Sequence, residues 1–513
     1  MLNPRLDRRQ VLKLGVGASA LAVTGSLAAT ASASPPTGVW QQLAACLTGT
    51  LVLPGDSAYP QAKQLYLAEY DAVNPAGIAY CETVADVQTC LAFVQNNAVP
   101  FRVRSGGHNL CGWSTCTGLI IDTSKFNHAK VTGDTVHLGP GLPGVDELNA
   151  LAPYGKQVVT GACPDVCPGG FISGGGVGFQ TRKFGIGADR LRSALVVLAD
   201  GRVVRTSATE EPDLFWALRG GGGGNFGVVL DFEVEPIDQP TGVYFSTVWS
   251  WDKAQALLEY WQQWSIQSTH DFGSTMLVLL PDAAPANTPV VVLSGGYWGA
   301  QDEIEQGLAA MAAATGTTPT SSHVQTMPYQ DVMMNNYGCG DLSVDQCHRV
   351  GVNPVAQLPR TGWLSQRNRI FNQPLQGSAL TATLEAFDAD RYAGEERYIA
   401  FTATGGVANE VGRTDTAYWH RDAQFITIFS GHTLNPAPPA AEQQLLDTWS
   451  DRGFATLDPV STGESYLNFP DMRLTDWQTS YYGGNYPRLL EIKNTYDPHN
   501  IFSFARSIGS TQQ

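Results

Sequence analysis

Residues 104–114, RSGGHNLCGWS, bring glycines, a histidine and a cysteine into one short stretch. A histidine in such a setting can be a turn residue, a metal ligand, a catalytic base or a covalent anchor. A second cluster, GACPDVCPGGFISGGGVGFQTRKFGIGADRL at 161–191, adds Cys163, Cys167 and two further glycine runs. A third, GGGGGNFG at 220–227, follows. Glycine loses more backbone entropy on folding than any other residue, so dense runs of it mark places where backbone must approach something closely. Backbone N–H groups freed of side chains can line up on a pyrophosphate.

The spacing is not that of a dinucleotide fingerprint, because no βαβ unit with an acidic residue about 20 positions on accompanies it. It is not a P-loop, because no Gly-Lys-Ser/Thr ends it. No zinc site is expected: Cys111 and Cys116 have no second pair or His-x3-His partner to complete a tetrahedron. Tight turns would explain one such loop. Three of them point to a bound, phosphate-bearing cofactor.

These loops need strands and helices to hold them. VADVQTCLAFVQNNAVPFRVR reads as a helix, a turn and a strand ending at the first glycines. GLIIDTSK and TGDTVHLGPGLP read as strands, and SALVVLADGRVVRTS as a hairpin around Asp200-Gly201. Beyond residue 237, strands such as GSTMLVLLP and TPVVVLSGGYWG alternate with amphipathic helices such as DKAQALLEYWQQWS. The fold class is therefore α+β in two parts, the second with an antiparallel sheet covered on one side. NYPRLLEIKNTYDPHNIFSF reads as a closing helix stopped at Asp497-Pro498.

A chain of 513 residues is too long for one ordinary core. Charged residues make up 15% and hydrophobic ones 43%, a globular profile. A net charge of −16 argues against nucleic-acid or anionic-membrane partners, which call for basic surfaces. Near the start, Arg8-Arg9 precede a mildly apolar Ala/Gly-rich stretch that ends at Ala31-Ser32-Ala33. This resembles a twin-arginine export signal over residues 1–33 and implies secretion. In an exported chain the nine cysteines invite disulfides with one left over. Cys339–Cys347 closes a short loop, and Cys46 meets Cys90 if their helices pack.

Taken jointly, Arg104-Ser105-Gly106-Gly107-His108, the GACPDV…GGGVG stretch, DLFWALRGGGGGNFGVV at 213–229 and YYGGNYPRLLEIKNTYDPHNIF at 481–502 resemble the berberine-bridge-enzyme-like FAD-linked oxidases of the vanillyl-alcohol-oxidase family. The resemblance implies a PCMH-type FAD-binding domain over 71–237, preceded by a helical part over 34–70. An α+β substrate domain occupies 238–465, and a C-terminal segment over 466–508 returns to the FAD domain. It implies FAD held by two bonds, from His108 to the flavin 8α-methyl and from Cys163 to C6. Arg104, Ser105, Gly106, Gly107, Asn109, Gly170, Gly174, Gly175, Gly178, Val228 and Asn485 would surround the cofactor. Tyr481, or Tyr482 one position on, would take the substrate proton. Val166 would lie near the flavin face and, being smaller than leucine, would admit dioxygen. His420 is expected as a packed, hydrogen-bonded histidine.

The implied activity is oxidation of an alcohol or sugar hemiacetal, on an oligosaccharide or glycosylated secondary metabolite, with dioxygen reduced to hydrogen peroxide. An oxygen-insensitive dehydrogenase and a flavin-free binding protein are the alternatives. Two departures from the family pattern stand out: Phe171 follows Gly169-Gly170 where plant members carry histidine, and Cys167 adds a second thiol near Cys163.

Overall fold

A computed structural model describes residues 37–510. The twin-arginine stretch and Ala31-Ser32-Ala33 lie outside the described residues. Three sheets organise the described residues. The first holds β1 (Thr50–Val52), β2 (Gly77–Tyr80), β3 (Phe101–Arg104) and β4 (Leu119–Asp122), in the order β1-β2-β4-β3. β2 and β3 run parallel to β4. A parallel pair needs a crossover, and the helix Val84–Asn96 supplies it. Its start is fixed by a capping box: Asp86 N–H donates to Thr83 Oγ1, and Thr83 N–H donates to the Asp86 carboxylate.

The second sheet holds β5 (Ala129–Thr132), β6 (Thr135–Leu138), β7 (Leu191–Val197), β8 (Val203–Ser207) and β9 (Val228–Val234), in the order β5-β6-β9-β7-β8. The Asp200-Gly201 hairpin forms as read, with Val197 paired to Val203 and Gly201 at φ +83°. β9 is entered directly from the 220–227 glycines, so the sheet anchors that loop.

The third sheet holds β10 (Thr241–Ser250), β11 (Phe272–Leu280), β12 (Val290–Tyr297), β13 (Ser321–Pro328), β14 (Trp363–Phe371), β15 (Glu396–Ala403) and β16 (Phe425–Thr433). All seven strands are antiparallel, in the order β13-β10-β12-β11-β15-β16-β14. Side chains alternate along a strand. Met276, Val278 and Leu280, with Ile399 and Phe401, pack beneath the helices Ala254–Gln267, Gln301–Thr315 and Gly377–Asp388 in one apolar core. Their neighbours Thr275, Leu277, Leu279, Tyr398, Ala400 and Thr402 face the other way and line a cavity. The sheet is thus covered on one side by helices, and its other face is left for the cavity.

The C-terminal helix Tyr486–Tyr496 returns to the glycine loops. The buried Lys493 ammonium donates to Asn225 O, Phe502 O and the Asp497 carboxylate, each at 2.7 Å. Ile508 N–H donates to Asn225 Oδ1 at 2.9 Å. Tyr481 and Tyr482 lie in a short helix, Trp477–Tyr482, just before it.

Cys339 and Cys347 are disulfide-bonded. The Cys46–Cys90 pairing does not form: Cys46 is exposed, and the nearest thiol to Cys90 is Cys81, with the sulfurs 3.9 Å apart.

Candidate active site

The three glycine-dense segments meet at one cavity of about 720 Å³, walled on the far side by the open face of the seven-stranded sheet. Ser105, Gly106, Gly107, His108 and Asn109 line it, as do Cys163, Val166, Gly170 and Gly178. Close approach explains the glycines. A Cβ on Gly106 would stand 2.7 Å from Cys167 Sγ and 2.8 Å from Asp165 O, and Gly107 adopts φ +67°. A Cβ on Gly170 would meet nothing within 4 Å, so the chain there leaves open room in the cavity wall. Asn109 shapes the turn after His108 by accepting from Cys111 and Trp113 N–H.

His108 and Cys163 come together from loops that are far apart in sequence. The imidazole stacks on the Tyr66 ring, with centroids 3.9 Å apart at 17°. Its Nε2 lies 3.3 Å from Asp165 Oδ1 without making a hydrogen bond, and Cys163 is near enough to act on the charge of the ring. On the far side of Asp165 stands Arg349, with Nη1 3.6 Å from Oδ2. Burial alone would pull the imidazole pKa down, but the Asp165 carboxylate outweighs it and pushes the imidazole up to about 10. Burial would raise the carboxyl, but His108 and then Arg349 hold it down at about 2. The competing thiol, Cys167, is buried, and burial pushes its pKa well up. That disfavours the thiolate that a nucleophile needs.

The tyrosines sort differently from expectation. Tyr481 does not line the cavity. It is buried, and its phenol oxygen accepts Asp471 N–H at 2.8 Å, which makes it part of the packing of its own segment. Tyr482 reaches the cavity wall with its hydroxyl turned to Gly221 O at 3.3 Å. The phenol the sequence reading missed is Tyr466, which lines the cavity. Its oxygen accepts from Gly176 N–H (2.9 Å), Val177 N–H (3.1 Å) and Asn468 Nδ2 (2.9 Å). Burial pushes this phenol up to about 12, and the three donors oppose it. Tyr398 also faces the cavity from β15, pushed up to about 12 by burial and eased by Ser430. No local signal in SYLNFPD distinguishes Tyr466, because two of its donors lie about 290 residues earlier.

Other expected cofactor neighbours stand elsewhere. Arg104 is buried at the end of β3 against Asp122, 2.5 Å away. Gly174 and Gly175 pack against Asn468 and Tyr418 and do not line the cavity. Val228 points into the apolar core with Leu230, and strand alternation puts Val229 at the cavity in its place. The Asn485 amide is spent on backbone carbonyls, Arg413 O at 2.8 Å and Thr416 O at 3.1 Å. His420 is a packed histidine, with Nδ1 2.7 Å from Glu464 Oε2. Among the described residues no cluster of three metal-ligating side chains occurs.

The sheet face that closes the cavity is graded. Leu434, just past β16, is exposed, His432 is partly exposed, and Ile428 is buried. The mouth therefore lies at the His432 end. His432 pairs across the strands with Glu396, and Gln366 follows one row deeper on β14 with its Nε2 unbonded among the described residues. Deeper still, Ile428, Ala400 and Leu277 form an aliphatic row.

Comparison with known proteins points to FAD-linked oxidoreductases. An FAD-binding-domain family model matches residues 75–207, and a berberine and berberine-like model matches 465–509. The uncharacterised FAD-linked oxidoreductase YgaK of Bacillus subtilis is 29% identical over 474 residues, 90% of this chain and 97% of its own. The chitooligosaccharide oxidase of Gibberella zeae is 26% identical over 486 residues, 90% of this chain and 93% of its own. A structure of the glucooligosaccharide oxidase from Acremonium strictum, whose FAD is 6-S-cysteinyl, 8α-N1-histidyl, matches with a TM-score of 0.78 at 24% identity. That match covers 92% of this chain and all of the other. In sequence the chain is therefore similar to berberine-like FAD-linked oxidoreductases along most of its length.

Proposed function

We propose that this protein is an exported FAD oxidase that converts an alcohol or sugar hemiacetal to a carbonyl or lactone, with dioxygen as acceptor, and that His108 and Cys163 both bond the flavin. The observation that carries this reading is the convergence of His108 and Cys163 on one cavity walled by three glycine loops. These residues fit FAD: the glycine backbone leaves room for the pyrophosphate, and two nucleophiles stand side by side. Bound FAD supplies the hydride acceptor.

The chain itself orients the substrate and handles the proton. Tyr466 is the proposed proton acceptor in place of Tyr481, because three donors already converge on its oxygen and favour negative charge there. The aliphatic row Ile428–Ala400–Leu277 excludes water around the reacting carbon, while Gln366 and the Glu396–His432 pair offer polar contacts toward the mouth. This supports a substrate with an apolar body and a polar end, as in a glycosylated metabolite.

Acid precipitation of the purified protein, followed by a peroxide-coupled screen over sugars, alcohols and glycosides, tests the reading. The expected result is yellow precipitate and peroxide with at least one substrate. Flavin that leaves entirely in acid overturns the double bond. Reduced enzyme that persists for minutes in air-saturated buffer makes it a dehydrogenase, and a colourless protein is the binding-protein outcome.

A further inference from the structure

We infer that Arg349 is a specificity-determining residue that receives a carboxylate of the substrate, so that the compound oxidised carries an acid group besides its CH–OH. The inference rests on the reading of the cavity as the substrate site of a flavin oxidase.

Arg349 lines the cavity beside Asp165. Its Nη1 is buried and has no hydrogen-bond partner among the described residues. Asp165 Oδ2 stands 3.6 Å away, too far for a hydrogen bond, and the other oxygen of that carboxylate faces His108 Nε2 at 3.3 Å. One carboxylate is thus divided between two basic groups. A buried donor on a charged group is costly to leave unmet, and native folds keep few of them.

The neighbouring arginines differ. Arg360 also lines the cavity, but it grips Asp71 through both Nη nitrogens, at 2.8 and 2.7 Å, and donates from Nε to Leu65 O at 2.8 Å. Arg104 pairs with Asp122 and does not line the cavity. Both add positive potential around Arg349.

The fold fixes the backbone on either side of Arg349. Cys347, two residues earlier, is bonded to Cys339, and His348 Nε2 lies 3.0 Å from Asp146 Oδ2. Val350 N–H donates to Leu358 O at 2.8 Å, and Leu358 N–H donates to His348 O at 2.9 Å. A cation held this way loses little freedom when a ligand arrives.

A guanidinium presents a planar fork of donors that matches a carboxylate. A sugar hydroxyl could accept from one donor but would leave the charge unanswered. The net charge of −16 opposes the approach of an anion. That field is screened beyond about 8–10 Å in physiological salt, whereas a contact inside the cavity is not. On the facing sheet wall Glu396 repels a carboxylate, which leaves the Arg349 side as its place. The pyrophosphate of FAD offers the same anionic chemistry and is the rival occupant.

The test titrates purified holoenzyme, its flavin reduced by dithionite under nitrogen so that nothing turns over, with phenyl β-D-glucuronide and phenyl β-D-glucoside. The two probes differ only in a carboxylate, and calorimetry reads both affinities. Wild type should bind the glucuronide at least about tenfold more tightly, the scale of a charge-assisted bidentate contact. Arg349→Gln should bring the ratio of affinities close to unity, and Arg349→Lys, which keeps the charge but not the fork, should fall between. Equal affinities in wild type, no binding of the glucuronide, or a preference that persists in Arg349→Gln overturns the inference. Arg349→Gln protein that is folded but purifies without flavin gives the cation to the pyrophosphate and overturns it as well. A colourless wild type overturns the flavin reading itself.

Discussion

The phenol oxygen of Tyr466 sits 2.9 Å from the backbone nitrogen of Gly176, 290 residues earlier in the chain. That contact joins the start of the C-terminal segment to the middle glycine loop and places a polarised phenol at the cavity. Tyr466→Phe should therefore keep flavin and spectrum but lose about 100- to 10,000-fold in turnover, the usual scale for loss of a general base. Steady-state and anaerobic reduction rates with the best substrate check this; unchanged rates move the role to Tyr398.

Tyr481→Phe separates the two tyrosines. Its hydroxyl satisfies the buried Asp471 N–H, so the variant should lose stability by about 1–3 kcal/mol, the cost of an orphaned buried donor, with turnover nearly intact. Thermal melts beside turnover measurements read this. A large loss of turnover without loss of stability would contradict the geometry.

For the tethers, His108→Ala and Cys163→Ala should each leave flavin bound by one bond and reduced more slowly by substrate. The double variant should release its flavin on denaturation. Mass spectrometry of flavin-bearing peptides reads each case.

Val166 lines the cavity three residues after Cys163, its N–H directed at Cys163 O. Bulk added there should hinder oxygen more than substrate. Val166→Leu is expected to slow re-oxidation in stopped-flow mixing with dioxygen while anaerobic reduction stays close to wild type. Equal slowing of both half-reactions would place the effect on substrate binding.

Acid stability has a local contributor in Asp86. Burial works against its charge, but N–H groups of Thr48, Glu82, Thr83 and Gly49 donate to its carboxylate and hold its pKa below the ordinary value. A folded pKa below the unfolded one means this stabilisation is present above the unfolded value, near 3.9, and lost as pH falls through the folded one. Asp86→Ala should cost about 1–3 kcal/mol at neutral pH. The gap to wild type should narrow on acidification below about pH 4. Urea melts across pH measure both, and a gap that widens in acid refutes the assignment.

By itself the sequence determined the α+β class, the hairpin at Asp200-Gly201, the antiparallel second sheet, the Cys339–Cys347 bridge and the glycine-dense runs beside His108 and Cys163. Each is local or compositional. Periodicity, turn chemistry and glycine density are properties of short windows, and the family pattern runs along the chain in order. Tertiary structure alone decided which tyrosine faces the cavity, that Val229 and not Val228 lines it, that Asn485 is spent on backbone, and that Asp165 stands between His108 and Arg349. A side chain's direction is set by strand register and by partners hundreds of residues away. Tyr481 and Tyr466 are alike in type, burial and neighbourhood of glycine and asparagine; only the fold shows that one hydroxyl meets Asp471 and the other meets Gly176.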